Sequence, residues 1–294
     1  MTRPLRFGLV GTGHWAQIAH APALASTDGI EFAAVWGRNA DAAAQLAAIH
    51  NATAHDDLDG FLASVDAVAF AVPPDVQAPI ATRAAQAGKH LLLEKPVAIA
   101  PADADTLTAA VDSTHVASVV FFTARFQADV RAWLAEVLAA SGWAGGCAVW
   151  LGSAMRRGSP FNTPWRREKG GLWDLAPHVI SLLWASLGAV RSVTAEAGRG
   201  DVTHLVLHHD GGLTSTVTVT LGQPQGAEFS ELYLWGEPGR SACPTETEDP
   251  VIPLRTALTE LAANAQSGHV SHPCDVRFGR DIGHLLADAQ RQLG

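Results

Sequence analysis

The run Gly170-Gly171-Leu172-Trp173-Asp174-Leu175-Ala176-Pro177-His178 sets an acid and a histidine four residues apart, just before an apolar stretch, Val179 to Leu187, of helical length. On a helix, positions i and i+4 share a face, so Asp174 and His178 are predicted to point the same way. A histidine titrates near neutral pH and can take or give a proton during a reaction. The pattern also has an ordinary reading, in which Asp174 caps the helix and His178 is a satisfied core histidine. The elements around this run decide between the two.

With 294 residues the chain is long for one core and comfortable for two. Its composition, 48% hydrophobic and 17% charged, supports a sizeable core and argues against disorder. A net charge of -9 with no Lys/Arg-rich run argues against nucleic acid or an anionic membrane as partner. Cys147, Cys243 and Cys274 are scattered without metal-ligand spacing, so no metal site is expected and the cysteines read as reduced residues of a cytoplasmic protein. Strand-like Leu5–Val10 begins so early that no signal peptide is expected, and no apolar run reaches the roughly 20 residues that span a bilayer.

That first strand runs into Gly11-Thr12-Gly13-His14-Trp15-Ala16 and then a predicted helix through Ala25. This is a GxGxxA turn in its required setting, strand before and helix after. Gly11 permits the tight turn, Gly13 lets a pyrophosphate approach the backbone, and Ala16 lets helix and strand pack closely. A structural glycine turn is the ordinary alternative. A second strand, Phe32–Trp36, ends in Gly37-Arg38-Asn39, where an NAD site usually carries an acid for the ribose. No carboxylate stands there to repel a 2′-phosphate, and Arg38 can pair with one, so NADP is favoured over NAD. Alternatively Arg38 is solvated or stacks on the adenine.

Helices over Ala40–His50, Asp56–Ala63, Pro79–Ala87 and Ala102–Val111 alternate with strands Ala67–Val72, His90–Leu93 and Val116–Phe122. This alternation predicts a doubly wound parallel sheet, whose ligands lie beyond the strand C-terminal ends. Pro73-Pro74 and Glu94-Lys95-Pro96 fall at such ends, so topology aims Lys95 into the crevice, although a lysine after a strand is commonly a solvated loop residue. Pro96 restrains Lys95 and permits a cis bond. The residues expected to line the cofactor crevice are Gly11, Thr12, Gly13, His14, Trp15, Arg38, Pro73, Gln77, Glu94 and Lys95.

At this point the chain resembles the Gfo/Idh/MocA family of dinucleotide-dependent oxidoreductases. The resemblance rests on Gly11-x-Gly13-x-x-Ala16, Pro73-Pro74, Gly88-Lys89-His90 leading to Glu94-Lys95-Pro96, and Gly170-Gly171-x-x-Asp174-x-x-x-His178. It implies an α/β fold: an N-terminal Rossmann domain over 1–122 and an α+β substrate and oligomerisation domain over 123–294, with a mostly antiparallel, open-faced sheet. It further implies hydride transfer between NADP (or NAD) and a carbinol or carbonyl carbon of a sugar, polyol or related small molecule. His178 is then the general acid/base, Lys95 hydrogen-bonds the reacting oxygen, and Asp174 holds the substrate or the Lys/His pair. Assembly as a homodimer or homotetramer through the open sheet face is implied too, as is a final helix, about 276–293, packing back on the first domain. Relatives of the same fold also include non-enzymatic NADP-sensing proteins and redox-assisted lyases or glycosidases. Two departures bear on substrate identity: Gln77 stands where the family often has His, and Ala176-Pro177 follows Asp174 where Gly is common.

In the second half a helix is predicted over Val130–Ala140, a break at Gly142–Gly146, and strands at Cys147–Ala154, Val190–Ala197, Val202–His208, Leu213–Leu221 and Glu228–Trp235. The intervening turns suit an antiparallel meander. Between the first strand and the Gly-Gly run, Arg156 to Arg167 reads as a loop with four arginines, Phe161 and Trp165. Arg125, Trp165 and Arg166 are the expected substrate contacts; a solvated basic loop is the alternative. No nucleophile elbow is present, and His204, His208 and His209 lie on a strand and turn without a ligand cluster.

Overall fold

The structure is a computed structural model and describes residues 3–245 and 248–294. The chain divides into two compact units, Met1–Phe126 with Glu248–Asp281, and Gln127–Thr247 with Ile282–Gly294. Strands β1 (Leu5–Val10), β2 (Ile30–Trp36), β3 (Thr53–His55), β4 (Ala67–Phe70), β5 (His90–Glu94) and β6 (Ser118–Phe121) form one parallel sheet in the order β3-β2-β1-β4-β5-β6. Phe7, Leu9, Val10, Ala67 to Phe70 and Leu91 to Leu93 are fully buried, as a parallel sheet covered on both faces requires. The order reverses at β1 and β4, which places the topological switch point beside the Gly-rich turn. The expected doubly wound fold is therefore present.

Several boundaries differ from the sequence expectation, each for a local reason. The helix expected from Pro79 starts one turn earlier, as α4 (Pro74–Gln86), with Pro73 as its N-cap. A proline at the first helical position has its φ pre-set and misses no bond. Pro79 then sits inside the helix on its exposed side; burial of Gln77, Ala78, Ala81, Ala84 and Ala85 outweighs its absent N–H. After the Gly-rich turn the helix opens with five residues in the wider π register, Ala16–His20, before α1 (Ala21–Ser26). Ala21 N–H reaches back to Ala16 O, because the ring of Pro22 crowds the turn before it and supplies no N–H. Helices α2 (Ala40–Ile49), α3 (Leu58–Ala63) and α5 (Pro101–Thr114) follow the alternation.

The second unit comprises α6 (Ala128–Ala139), β7 (Trp143–Leu151), α7 (Pro164–Asp174), α8 (Ala176–Leu187), β8 (Val190–Ala197), β9 (Thr203–His209), β10 (Thr214–Thr220), β11 (Phe229–Gly236) and β12 (Gly239–Ala242). Its sheet runs β12-β11-β7-β10-β9-β8. Only β8-β9-β10 follows the expected meander; β7 enters between β11 and β10 and pairs parallel with β10. Of the break expected at Gly142–Gly146, only Gly142 lies outside the strand; β7 begins at Trp143. A Cβ at Gly145 would lie 2.6 Å from the Trp235 ring and one at Gly146 2.9 Å from Leu183 and Leu234, so large neighbours fill the space these glycines leave. Val193, Ala195, Leu205, Leu207, Val217 and Val219 form the buried face, and α8 packs on it against β7 and β10. The other face carries cross-strand Thr194–His208 and His204–Thr218 hydrogen bonds in the open.

Helix α9 (Val251–Ser267) was not expected; Leu254, Ala257, Leu258, Leu261 and Ala262 are buried at helical spacing, and it packs on α1, β5 and β6. The final helix α10 (Val276–Leu293) begins where expected, but it divides: Val276–Asp281 belongs to the first unit and Ile282 onward to the second. Gln290 accepts from Trp173 Nε1 at 3.2 Å, and Gln292 bonds the backbone of Val193 and Ala195 at 2.9 Å each.

At the end of β9, His209 is 4% exposed. Its Nδ1 donates to Gly188 O and its Nε2 accepts from Ser215 Oγ, both at 2.8 Å, which satisfies the neutral ring completely. Burial pushes its pKa below the ordinary value. The unfolded chain then binds the extra proton first, so the stabilisation is complete above the unfolded pKa of about 6.5 and is lost as pH falls below that toward the folded value. Thermal melts between about pH 7.5 and about pH 5 should show a steeper acid loss in wild type than in His209→Gln. Parallel curves would remove His209 from the pH response.

Candidate functional site

The first unit brings together the residues expected around a dinucleotide. Gly11 has φ +125°, and a Cβ there would stand 2.5 Å from Ala71 O, so two backbones meet at a distance only glycine allows. Its N–H donates to Trp36 O at 2.9 Å, tying the turn to the end of β2. Gly13 is exposed, with nothing within 4 Å of a built Cβ. The first helical bond beyond it runs from Gln17 N to Gly13 O. A helix N-terminus that starts beside an exposed glycine fits the approach of a pyrophosphate. Ala16 is fully buried, as its packing role requires. Thr12 lies half-buried against Gly37, whereas His14 is exposed.

At the end of β2, Arg38 is exposed. Asn39 is committed elsewhere, its Oδ1 capping α2 through Ala42 N–H at 3.0 Å. Arg38 is thus the charged side chain of the Gly37-Arg38-Asn39 turn, exposed at the end of β2.

The turn after β5 is held from below. Gln77 is wholly buried; its Nε2 donates to Glu94 O at 2.8 Å and to Val97 O at 3.2 Å, and its Oε1 accepts from Glu94 N at 2.8 Å. Such a side chain has no surface to offer a cofactor, so the expected direct contact by Gln77 is corrected to support of the Glu94-Lys95-Pro96 turn. The Lys95–Pro96 bond is cis. Glu94 receives Trp15 Nε1 at 2.7 Å and His20 Nε2 at 2.8 Å on the same oxygen. His20 was not anticipated: it lies 74 residues from Glu94, and no local spacing connects them. Arg125 follows β6 in a short 3-10 turn, Thr123–Phe126, with its guanidinium 5.9 Å from the Phe278 ring centroid.

In the second unit the Gly-Gly run acts through two different constraints. Gly170 breaks α7 with φ 64° and ψ −163°, a region open essentially to glycine alone. At Gly171 a Cβ would lie 3.0 Å from Thr220 Cα and N, so the helix rests on the backbone of β10. Asp174 ends α7 and is 6% exposed. The expectation that it caps the following helix is not met: the N-cap of α8 is Leu175, and no side chain caps it. The Asp174 carboxylate instead accepts from Arg166 Nε at 2.8 Å. The two side chains are 8% and 19% exposed; breaking a pair at that depth typically costs about 3–5 kcal/mol.

Arg166 is not on a loop, because α7 already begins at Pro164. Its guanidinium stacks over Trp165 at 4.6 Å and near Phe161 at 5.5 Å. His178 stands in the first turn of α8, half-buried, with its ring 5.5 Å from that of Trp150 on β7. Leu175 keeps near-helical angles, φ −99° and ψ −41°. The Asp174-to-His178 spacing therefore crosses a helix junction rather than one continuous helix. Among the described residues no group of three or more His, Cys, Asp or Glu could hold a metal. No helix among them is long and apolar enough to cross a membrane.

Residues 5–122 match the family described as oxidoreductase family, NAD-binding Rossmann fold. The UDP-N-acetylglucosamine 3-dehydrogenase of Acidithiobacillus ferrooxidans is 35% identical over 112 residues, 38% of this chain and 35% of that protein. The chain spans between 35% and 57% of the length of the first curated relatives it matches. Solved structures align over nearly the whole chain at low identity. A myo-inositol dehydrogenase from Corynebacterium glutamicum matches at TM-score 0.85 and 17% identity, over 98% of this chain and 96% of its own. An oxidoreductase from Agrobacterium radiobacter in complex with NAD+, L-tartaric acid and magnesium matches at TM-score 0.82 and 18% identity, over 98% and 96%.

Proposed function

Since residues 5–122 match the Gfo/Idh/MocA oxidoreductase family, we propose that the chain is a member of that family and an NAD(P)-dependent dehydrogenase acting on a CH–OH group of a sugar, polyol or related small molecule. The observation that carries this reading is Lys95 at the C-terminal end of β5, in the same sheet as an open Gly-rich cradle. The dinucleotide, when bound, supplies the redox chemistry. Gly11, Thr12, Gly13, His14 and Trp15 seat its pyrophosphate end, and Pro73, Glu94 and Lys95 border the crevice farther along. Lys95 Nζ donates to the substrate oxygen and stabilises its developing charge. His178 takes the hydroxyl proton in oxidation and returns it in reduction. Asp174, held by Arg166, orients the substrate with Arg125 and Trp165. Similarity to a UDP-N-acetylglucosamine 3-dehydrogenase and to a myo-inositol dehydrogenase supports a polyhydroxylated substrate. The enzyme works in the cytoplasm as a homodimer or homotetramer joined by the open sheet face.

NADP is the preferred cofactor on this reading, because Arg38 is exposed at the end of β2 and no acid stands in that turn. Titration of nicotinamide fluorescence should give tighter binding of NADPH than of NADH. Arg38→Ala should raise the NADPH Kd by about tenfold or more, the scale of one charge-assisted hydrogen bond, and change the NADH Kd by less than about twofold. Equal effects on both cofactors would sink the 2′-phosphate contact. A protein that binds neither would lose the proposed function altogether.

A further inference from the structure

The bonds around Glu94 fix the position of its carboxylate. Trp15 Nε1 is only ever a donor, and a carboxylate oxygen receiving both Trp15 and His20 is an acceptor, so His20 Nε2 carries its proton. His20 is fully buried, and its Nδ1 has no hydrogen-bond partner. Both neighbours thus donate to the Glu94 carboxylate. Two donors on one oxygen and the Gln77 clamp on its backbone fix this carboxylate in place. Its side chain retains 12% exposure.

This carboxylate stands between the helix that follows the Gly-rich turn and the end of β5. In a doubly wound sheet the adenosine half of a dinucleotide lies over the β2 side of the crevice, which leaves the nicotinamide half to β4, β5 and β6. The oxidised nicotinamide ring carries a positive charge and the reduced ring none. We infer that Glu94, its carboxylate held in place by Trp15 and His20, selects the redox state of the cofactor, favouring the oxidised dinucleotide and so biasing the enzyme toward oxidation of its alcohol substrate. This rests on the proposed dinucleotide site. It assigns Glu94 a specificity role, with Trp15 and His20 as positioning residues. Lys95, next in the chain, remains in every variant, so a change at Glu94 reports the carboxylate alone.

Binding without substrate tests the inference. Kd values for the oxidised and reduced forms of the preferred cofactor are measured by fluorescence titration for wild type, Glu94→Gln and Trp15→Phe. Glu94→Gln should weaken the oxidised form about tenfold and leave the reduced form within about twofold, the response to loss of one nearby charge. Trp15→Phe, which keeps an aromatic ring but removes one donor, should shift the ratio in the same direction by about threefold; it answers the question if Glu94→Gln does not fold. An unchanged ratio, or equal weakening of both forms, would overturn the inference. Failure of wild type to bind either form would instead overturn the proposed function.

Discussion

His178→Ala should lower kcat for alcohol oxidation by about 10²–10⁴-fold, the range set by loss of a positioned general acid/base, while the dinucleotide Kd stays within about twofold. The two readouts separate because His178 belongs to the second unit and the Gly-rich cradle to the first. The substitution is small in structural terms. The ring is half-buried against Trp150, and helix α8 is anchored by Val179, Ile180, Leu182, Leu183 and Leu187 rather than by His178. Lys95→Ala should lower kcat by a similar factor, about 10²–10³-fold for removal of one oxyanion donor. Cofactor and substrate must be saturating, so that a change in KM is not read as chemistry. Unchanged turnover in either folded variant would exclude that residue from the reaction. A loss appearing wholly in KM would make His178 a binding residue.

Alanine at Gly170 and at Gly171 should each destabilise the second unit, for separate reasons. At Gly170 the added Cβ has room, with Asp201 Cβ 3.8 Å away. The cost there is conformational, about 1–3 kcal/mol for holding φ 64° and ψ −163° with a side chain. At Gly171 the angles are helical, but the Cβ would press on Thr220 Cα and N at 3.0 Å and on Val219 C at 3.2 Å. Those are backbone atoms in the middle of a sheet, so the helix must move instead, at about 1–3 kcal/mol for overpacking. Displacing that helix carries Asp174 with it, so Gly171→Ala should also reduce turnover below what its stability loss explains. Urea unfolding with activity assayed well below the midpoint measures both effects. A neutral Gly171→Ala would mean that the α7–β10 contact does not position Asp174.

Local patterns explain most of what was legible in the chain. Alternation of apolar strands with capped helices announces the parallel sheet, and strand–GxGxxA–helix announces the cradle, because both depend on residues close in sequence. Strand Thr214–Thr220 was readable from period-two patterning. Helix α9 also carried its signal, in Leu254, Ala257, Leu258, Leu261 and Ala262, though not the sheet edge on which it packs. The Gly142–Gly146 stretch misled because a glycine in a strand looks like a turn until the Trp235 and Leu234 side chains are placed across it. Asp174 misled in the other direction. A cap is a local expectation, and an arginine eight residues back, one turn into α7, took the carboxylate.

Sequence alone thus determined the two architectures, the glycine cradle and the Glu94-Lys95-Pro96 turn at a strand end, since each follows from neighbours along the chain. Tertiary structure decided the rest: Gln77 beneath the turn rather than on the ligand, Arg166 holding Asp174, and β7 lying parallel to β10. It also joined His20 and Trp15 on Glu94 across more than seventy residues. Hydrogen bonds between distant segments depend on which faces the sheets bury. That is a property of packing, and no residue spacing records it.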